Sequence, residues 1–107
     1  MVRRRFDVFR NLNPRSNRTV PYVVLLQSEL LDELPTQVVA PLVRSSALGG
    51  KAAARLNPQF EVDGEIVFML TQQVGAVPTS SLSSPVSSLS QNRDLIVAAL
   101  DFLFSGI

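Results

Sequence analysis

The stretch "FEVDGEIVFML", residues 60–70, constrains this chain more than any other. Asp63-Gly64 is a preferred two-residue hairpin turn, because both central positions need positive φ and Asp and Gly tolerate it. Phe60 and Val62 enter the turn. Ile66, Phe68 and Leu70 leave it on one face, Val67 and Met69 on the other. The spacing predicts an antiparallel hairpin with strands near 59–62 and 65–70. A lone hairpin is marginal in water, so more strands must cover its apolar face.

Candidates for those strands lie on both sides. Residues 4–10, "RRFDVFR", put Phe6 and Val8 on one face by alternation. A polar loop, "NLNPRSNRTVP", follows. Tyr22 to Ser28, "YVVLLQS", is apolar without alternation, which suits a strand covered on both faces. In "ELLDELPT" Pro35 prevents a long helix, and Leu30 and Leu31 sit side by side. Gln37 to Val43 is a further strand, and Pro41, with no N–H to donate, predicts a bulge or a sheet edge there. Gly49 and Gly50 precede an Ala-rich stretch that predicts one or two helical turns, and "QQVGAVP" predicts another strand. "TSSLSSPVSSLS" is Ser-rich, yet Leu82, Val86 and Leu89 are spaced through it. That pattern predicts an ordered edge segment rather than a flexible linker.

The last predicted element is a helix from about Gln91 to Phe104, with Ser90 as its N-cap, or Ser88 with Gln91 as a rival capping box. Asp94 suits the positive end of the helix dipole. Gln91, Asp94, Ala98, Asp101 and Ser105 form one narrow stripe at i, i+3/i+4 spacing, and nearly everything else is apolar. Such a helix needs cover on more than one side. One side can face the chain's own sheet, and a two-fold partner supplies the other. Composition points the same way: 18% of the residues are charged, below the roughly 25% of a typical soluble domain. The predicted assembly is therefore a homodimer. At 107 residues the chain reads as a single domain, 1–107. Its fold class is mainly β (α+β).

Composition also excludes function classes. The chain has no histidine and no cysteine, which removes the commonest general base, the best nucleophile and the usual soft metal ligands. Asp32 and Glu33 are adjacent, and Asp63 and Glu65 flank a turn; both pairs read as solvated loop charges. "ALGGKAA" lacks the Ser/Thr and the spacing of a phosphate-binding loop. No cofactor or metal site is expected, and a protein-binding module is favoured over an enzyme. The net charge of +1 gives no global field for nucleic acid, and Arg3, Arg4 and Arg5 read as a solvated first strand. The N-terminus is not a secretory signal. The longest apolar run, Leu95 to Leu100, falls far short of the ~20 residues that cross a bilayer. A reducing cytoplasm is the expected location.

"FDVFRN", "PYVVLLQSELLD" at 21–32, "VVAPL" at 38–42, "FMLTQQVGAVP" at 68–78 and the closing "FLFSGI" together resemble the CcdB family of plasmid-addiction toxins, in order and spacing over essentially the whole chain. The resemblance implies an SH3-like barrel or strongly bent antiparallel sheet, with a smaller second sheet and one long C-terminal helix. It implies a cytoplasmic homodimer that binds the A subunit of DNA gyrase, traps it on cleaved DNA, and has no catalytic activity. It further implies a cognate antitoxin that removes the toxin from gyrase. Toxin and antitoxin together repress their operon, so operator DNA is reached only through that complex.

Residue by residue, Gly106 and Ile107 match the family's terminal pair, so that the chain would end on functional surface. Asp101 stands where the family carries Asn or Asp facing gyrase. Leu30 and Leu31 stand where it has paired branched aliphatics beside that surface. Two positions depart: Ser105 replaces the family's tryptophan, a large aromatic anchor, and Leu25 occupies a strand position where relatives often have Asp. The expected gyrase-binding residues are Leu30, Leu31, Asp101, Ser105, Gly106 and Ile107. Two alternatives accompany this reading: an endoribonuclease toxin of the same fold, and a non-toxic relative that only binds an antitoxin.

Overall fold

The computed structural model describes residues 3–48 and 53–107. Among them are the strands β1 (Asp7–Arg10), β2 (Tyr22–Leu25), β3 (Thr36–Val43), β4 (Gln59–Val62), β5 (Glu65–Met69), β6 (Gly75–Pro78) and β7 (Ser87–Ser88), and one α-helix, α1 (Arg93–Ser105). The strands pair antiparallel in the order β4-β5-β3-β2-β1-β7, with β6 also on β3. The sheet bends into a nearly closed barrel of the SH3-like kind, and the fold is α+β.

The hairpin forms as its turn dictates. Asp63 has φ 53° and Gly64 φ 80°, the paired positive values of a type I′ turn, and Val62 faces Glu65, Phe60 faces Val67. Val67 and Met69 are buried, while Ile66 on the opposite face is exposed.

β3 is the spine of the sheet. One side pairs with β2 at Val39–Leu42; the other pairs with β6 at Thr36–Val39 and with β5 at Leu42–Val43. The smaller sheet implied by the family resemblance is thus not a separate body. It is a branch, continuous with the main sheet through β3. Pro41 explains where the branching falls. It sits where β3 changes partner, and its carbonyl accepts from Leu70 N at 2.9 Å on that same side. The missing N–H faces the gap between β6 and β5. Pro41 therefore lies in a central strand, not at an edge, because only one of its two sides needs to be free of a ladder bond.

β1 begins at Asp7 rather than Arg4. Residues 4–7 make a turn, with Asp7 N donating to Arg4 O (3.0 Å) and Arg4 N to Asp7 Oδ2 (3.0 Å). Phe6 takes φ 74°, an unusual value for a bulky residue. Its N–H donates to Leu25 O at 2.7 Å and its ring is buried, and together these hold the strained backbone. β2 stops at Leu25 because Leu26 and Gln27 both donate to Val38 O, a bulge that shifts the register. Tyr22 and Val24 enter the main core, with Val8, Leu42, Met69 and Ile96; Leu25, Phe9 and Val39 form a second, smaller core on the opposite face. β2 is covered on both faces as expected, and Leu25 is apolar because it belongs to that second core.

The Ser-rich segment is ordered. Ser87 and Ser88 pair with β1, flanked by Val86 N to Val8 O and Leu89 N to Phe6 O. Leu89 is buried and Leu82 half-buried, while Val86 stays exposed. The predicted helical turn after Gly49 and Gly50 begins outside the described residues; residues 54–56 form a turn. α1 starts at Arg93, after a 3-10 turn at Ser90–Asn92, and no side chain caps it. Ser90 does not act as the predicted N-cap; the Ser88 hydroxyl accepts its N–H at 3.2 Å instead.

Candidate functional site

The roll of α1 decides what it shows to a partner. Ile96 and Ala99 are fully buried in the main core, with Val97 and Leu100 packed against it. That anchoring turns Asp94, Ala98, Asp101 and Ser105 outward, as the predicted stripe requires. It also leaves apolar surface uncovered: Leu95 is 53% exposed and Phe104 75%. Leu100 and Phe104 line a groove of about 290 Å³ together with Leu26, Gln27, Val38 and Val74.

The helix stops at Gly106. Its φ of 72° is left-handed, the ordinary conformation of a glycine that ends a helix, and its N–H donates to Phe102 O at 2.9 Å. The Ser105 hydroxyl donates back to Asp101 O at 2.6 Å. Ile107 is 80% exposed. Its main-chain oxygen accepts from Arg55 Nη2 at 2.5 Å.

A second apolar group lies on the segment 28–35. Ser28 opens a 3-10 turn, Glu29–Leu31, by accepting Leu30 N–H on its hydroxyl. Leu30 is 91% exposed, the most exposed large apolar side chain among the described residues, and Leu31 and Leu34 are about half exposed. Exposure here does not mean looseness. The buried Gln37 amide reaches Leu31 O, Asp32 O and Leu34 O, and the Thr79 hydroxyl donates to Leu34 O at 2.7 Å. Thr79 N donates to Pro35 O, and Arg3 pairs with the Asp32 carboxylate at 2.8 Å. Main-chain oxygens that water would otherwise satisfy are held from inside.

Of the six predicted site residues, Asp101, Ser105, Gly106 and Ile107 lie together at the end of α1, and Leu30 and Leu31 lie on this segment. Among the described residues no hydrogen bond joins the two groups. Gln27 belongs to both surroundings: the residue lines the groove that Phe104 also lines, and its side-chain amide donates to Leu31 O at 3.2 Å. The arrangement offers contact area, a rigid leucine turn and an exposed helix end.

The family model for CcdB protein matches residues 5–106. The chain belongs to the CcdB family. It is therefore a toxin of the toxin–antitoxin kind. The match spans the leucine turn and the helix end alike, through Gly106. Three side chains that sequence reasoning missed stand out in this CcdB-family chain: Phe104, Gln37 and Arg55. Phe104 falls in the apolar periodicity of α1 and so reads as core. Gln37 looks like an ordinary strand residue. Arg55 acts on Ile107 from 52 positions away, and no local pattern announces that. The basic cluster, expected as a solvated first strand, precedes β1 and is partly engaged by the fold: Arg3 is bound to Asp32, and Arg5 Nε donates to Leu26 O at 2.9 Å with its guanidinium over the Phe6 ring. No helix among the described residues is long and apolar enough to cross a membrane.

Proposed function

We propose that the chain is a homodimeric toxin that binds the A subunit of DNA gyrase and traps the enzyme on cleaved DNA, acting by binding and not by catalysis. The observation that carries this reading is that two segments held by hydrogen bonds, the turn with Leu30 and Leu31 and the helix end with Ile107, leave apolar side chains uncovered on a chain of the CcdB family. Apolar side chains this exposed are a cost in water that a partner relieves, by about 1.5–3 kcal/mol for each fully buried side chain. Asp101 and Ser105 add polar contacts on the same helix end. The dimer is supported by the groove at Leu100 and Phe104, where a second copy covers the apolar side that this chain's own sheet leaves open. In a dimer each contact is presented twice. A cognate antitoxin neutralises the toxin and joins it in repressing their operon, and the module works in the cytoplasm; these parts of the reading come from the family alone.

Ser105 in place of tryptophan weakens the gyrase contact without removing it, since the helix end keeps Ile107 and its ordered glycine turn. The engagement of Arg3 and Arg5 inside the fold weighs against the RNA-cleaving alternative, which needs a free basic groove. The test is a supercoiling and cleavage assay with purified gyrase, run beside an RNA-cleavage assay. The proposal expects linear plasmid to accumulate on protein denaturation and RNA to remain intact. Cleaved RNA with unaffected gyrase supports the alternative, and inactivity in both assays supports a non-toxic antitoxin-binding relative.

A further inference from the structure

We infer that Arg55 is a positioning residue that holds Gly106 and Ile107 in place beyond the end of α1, and so sets the shape of the helix end offered to a partner. The inference rests on the reading above for the role of that end. The ordering itself is argued from geometry.

The segment carrying Arg55 is firmly mounted. Asn57 is buried, and it closes the turn at both ends: its N–H donates to Ala53 O at 2.6 Å, and its Oδ1 accepts Ala53 N at 3.2 Å. The same side chain donates to Met69 O at 3.1 Å and to Gln72 Oε1 at 2.8 Å, and the buried Thr71 hydroxyl donates to Leu56 O. The turn is thereby tied to the end of β5, and Arg55 sits within it.

From there the Arg55 side chain meets the helix end twice. Its guanidinium lies over the Phe102 ring, 4.6 Å from the centroid, and its Nη2 donates to Ile107 O. Gly106 N–H bonds Phe102 O inside the same turn. Arginine suits the position because a planar guanidinium can stack on a ring and donate in its own plane at once; a lysine ammonium cannot do both. The ordering has a purpose. Two residues beyond a helix, both exposed, fray unless tied down, and a frayed segment binds more weakly by the entropy of ordering it.

The test uses the full chain as Arg55→Ala and Arg55→Lys, with two readouts. The first is ¹⁵N relaxation of the Gly106 and Ile107 amides, which does not depend on any partner. In the parent protein both are expected near the order of rigid backbone, about 0.85, and in Arg55→Ala below about 0.6. The second is affinity for the gyrase A subunit. Arg55→Ala is expected to weaken it about five- to ten-fold, the scale of having to order about one further residue of backbone on binding. Arg55→Lys should restore little of this, and Arg55→Ala should cost nothing further in a chain lacking Gly106 and Ile107. Unchanged amide order in Arg55→Ala overturns the inference. So does an equal loss of affinity in the shortened chain, which would make Arg55 a direct partner contact. If the parent protein fails to bind the A subunit, the functional reading falls and the relaxation data still decide the role of Arg55.

Discussion

Replacing Gln37 with methionine probes the structure that presents the leucine turn. Gln37 is 1% exposed, and its amide nitrogen lies 3.4 Å from Leu31 O, 3.3 Å from Asp32 O, 3.4 Å from Leu34 O and 3.4 Å from Thr79 Oγ1. An amide group has two hydrogens, so four such contacts share two bonds. None of the three carbonyls would be left bare: Leu34 O keeps Thr79 Oγ1, Leu31 O keeps Gln27 Nε2, and Asp32 O keeps Arg3 Nη2. Methionine roughly preserves the volume, so the cavity contribution is small. The expected loss is that of two modest hydrogen bonds, about 1–2 kcal/mol. At about 4–8 °C per kcal/mol for a domain of this size, the melting temperature should fall by roughly 4–16 °C, measured at one protein concentration because a dimer's stability depends on it. Hydrogen exchange should also quicken at the amides of residues 30–34 more than in β2 or β5. An unchanged melting temperature, or a loss above about 4 kcal/mol of the kind that follows a stranded buried polar group, would refute this account of how the turn is held.

Other changes test the surfaces separately. Phe104→Glu places a charge in the groove beside Leu100, and sedimentation equilibrium should show dissociation to monomers; an intact dimer would remove the groove as the interface. Leu30→Ala should shift stability by less than about 0.5 kcal/mol, because the side chain is 91% exposed, yet it should weaken binding to the gyrase A subunit in a pull-down or titration. Ser105→Trp should tighten that binding, since an aromatic anchor is regained; weaker binding would mean that the helix end meets its partner in a different orientation.

Some of this was legible in the chain, and the boundary is physical. Asp63-Gly64 and α1 were readable because their causes are local: two residues that tolerate positive φ, and a 3.6-residue period that the core then uses at Ile96 and Ala99. Phe6 shows the opposite case. Alternation extended the first strand back to Arg4, but the hydrogen bond from Phe6 N to Leu25 O turns the chain at that point, and a contact with β2 leaves no trace in residues 4–10. Proline forbids one ladder bond, and so Pro41 predicts an edge or a bulge, whereas β3 meets that restriction by changing partner. At the site, the positions of Leu30, Leu31, Gly106 and Ile107 came from the family resemblance and not from periodicity. Phe104, Gln37 and Arg55 were hidden because an apolar period does not tell which apolar side chain lacks a neighbour, and because contacts across tens of residues have no sequence spacing.

The central claim is that this chain acts by binding the gyrase A subunit through the end of α1. Titration of the purified A subunit with the full chain, and with a chain ending at Ser105, tests it most directly, with circular dichroism and sedimentation to establish that both fold and dimerise alike. The account predicts a measurable complex for the full chain and an affinity lower by about a hundred-fold or more for the shortened one, because two copies of Ile107 are removed at roughly 1.5–3 kcal/mol each. Equal affinities, or no complex with the full chain, would contradict it.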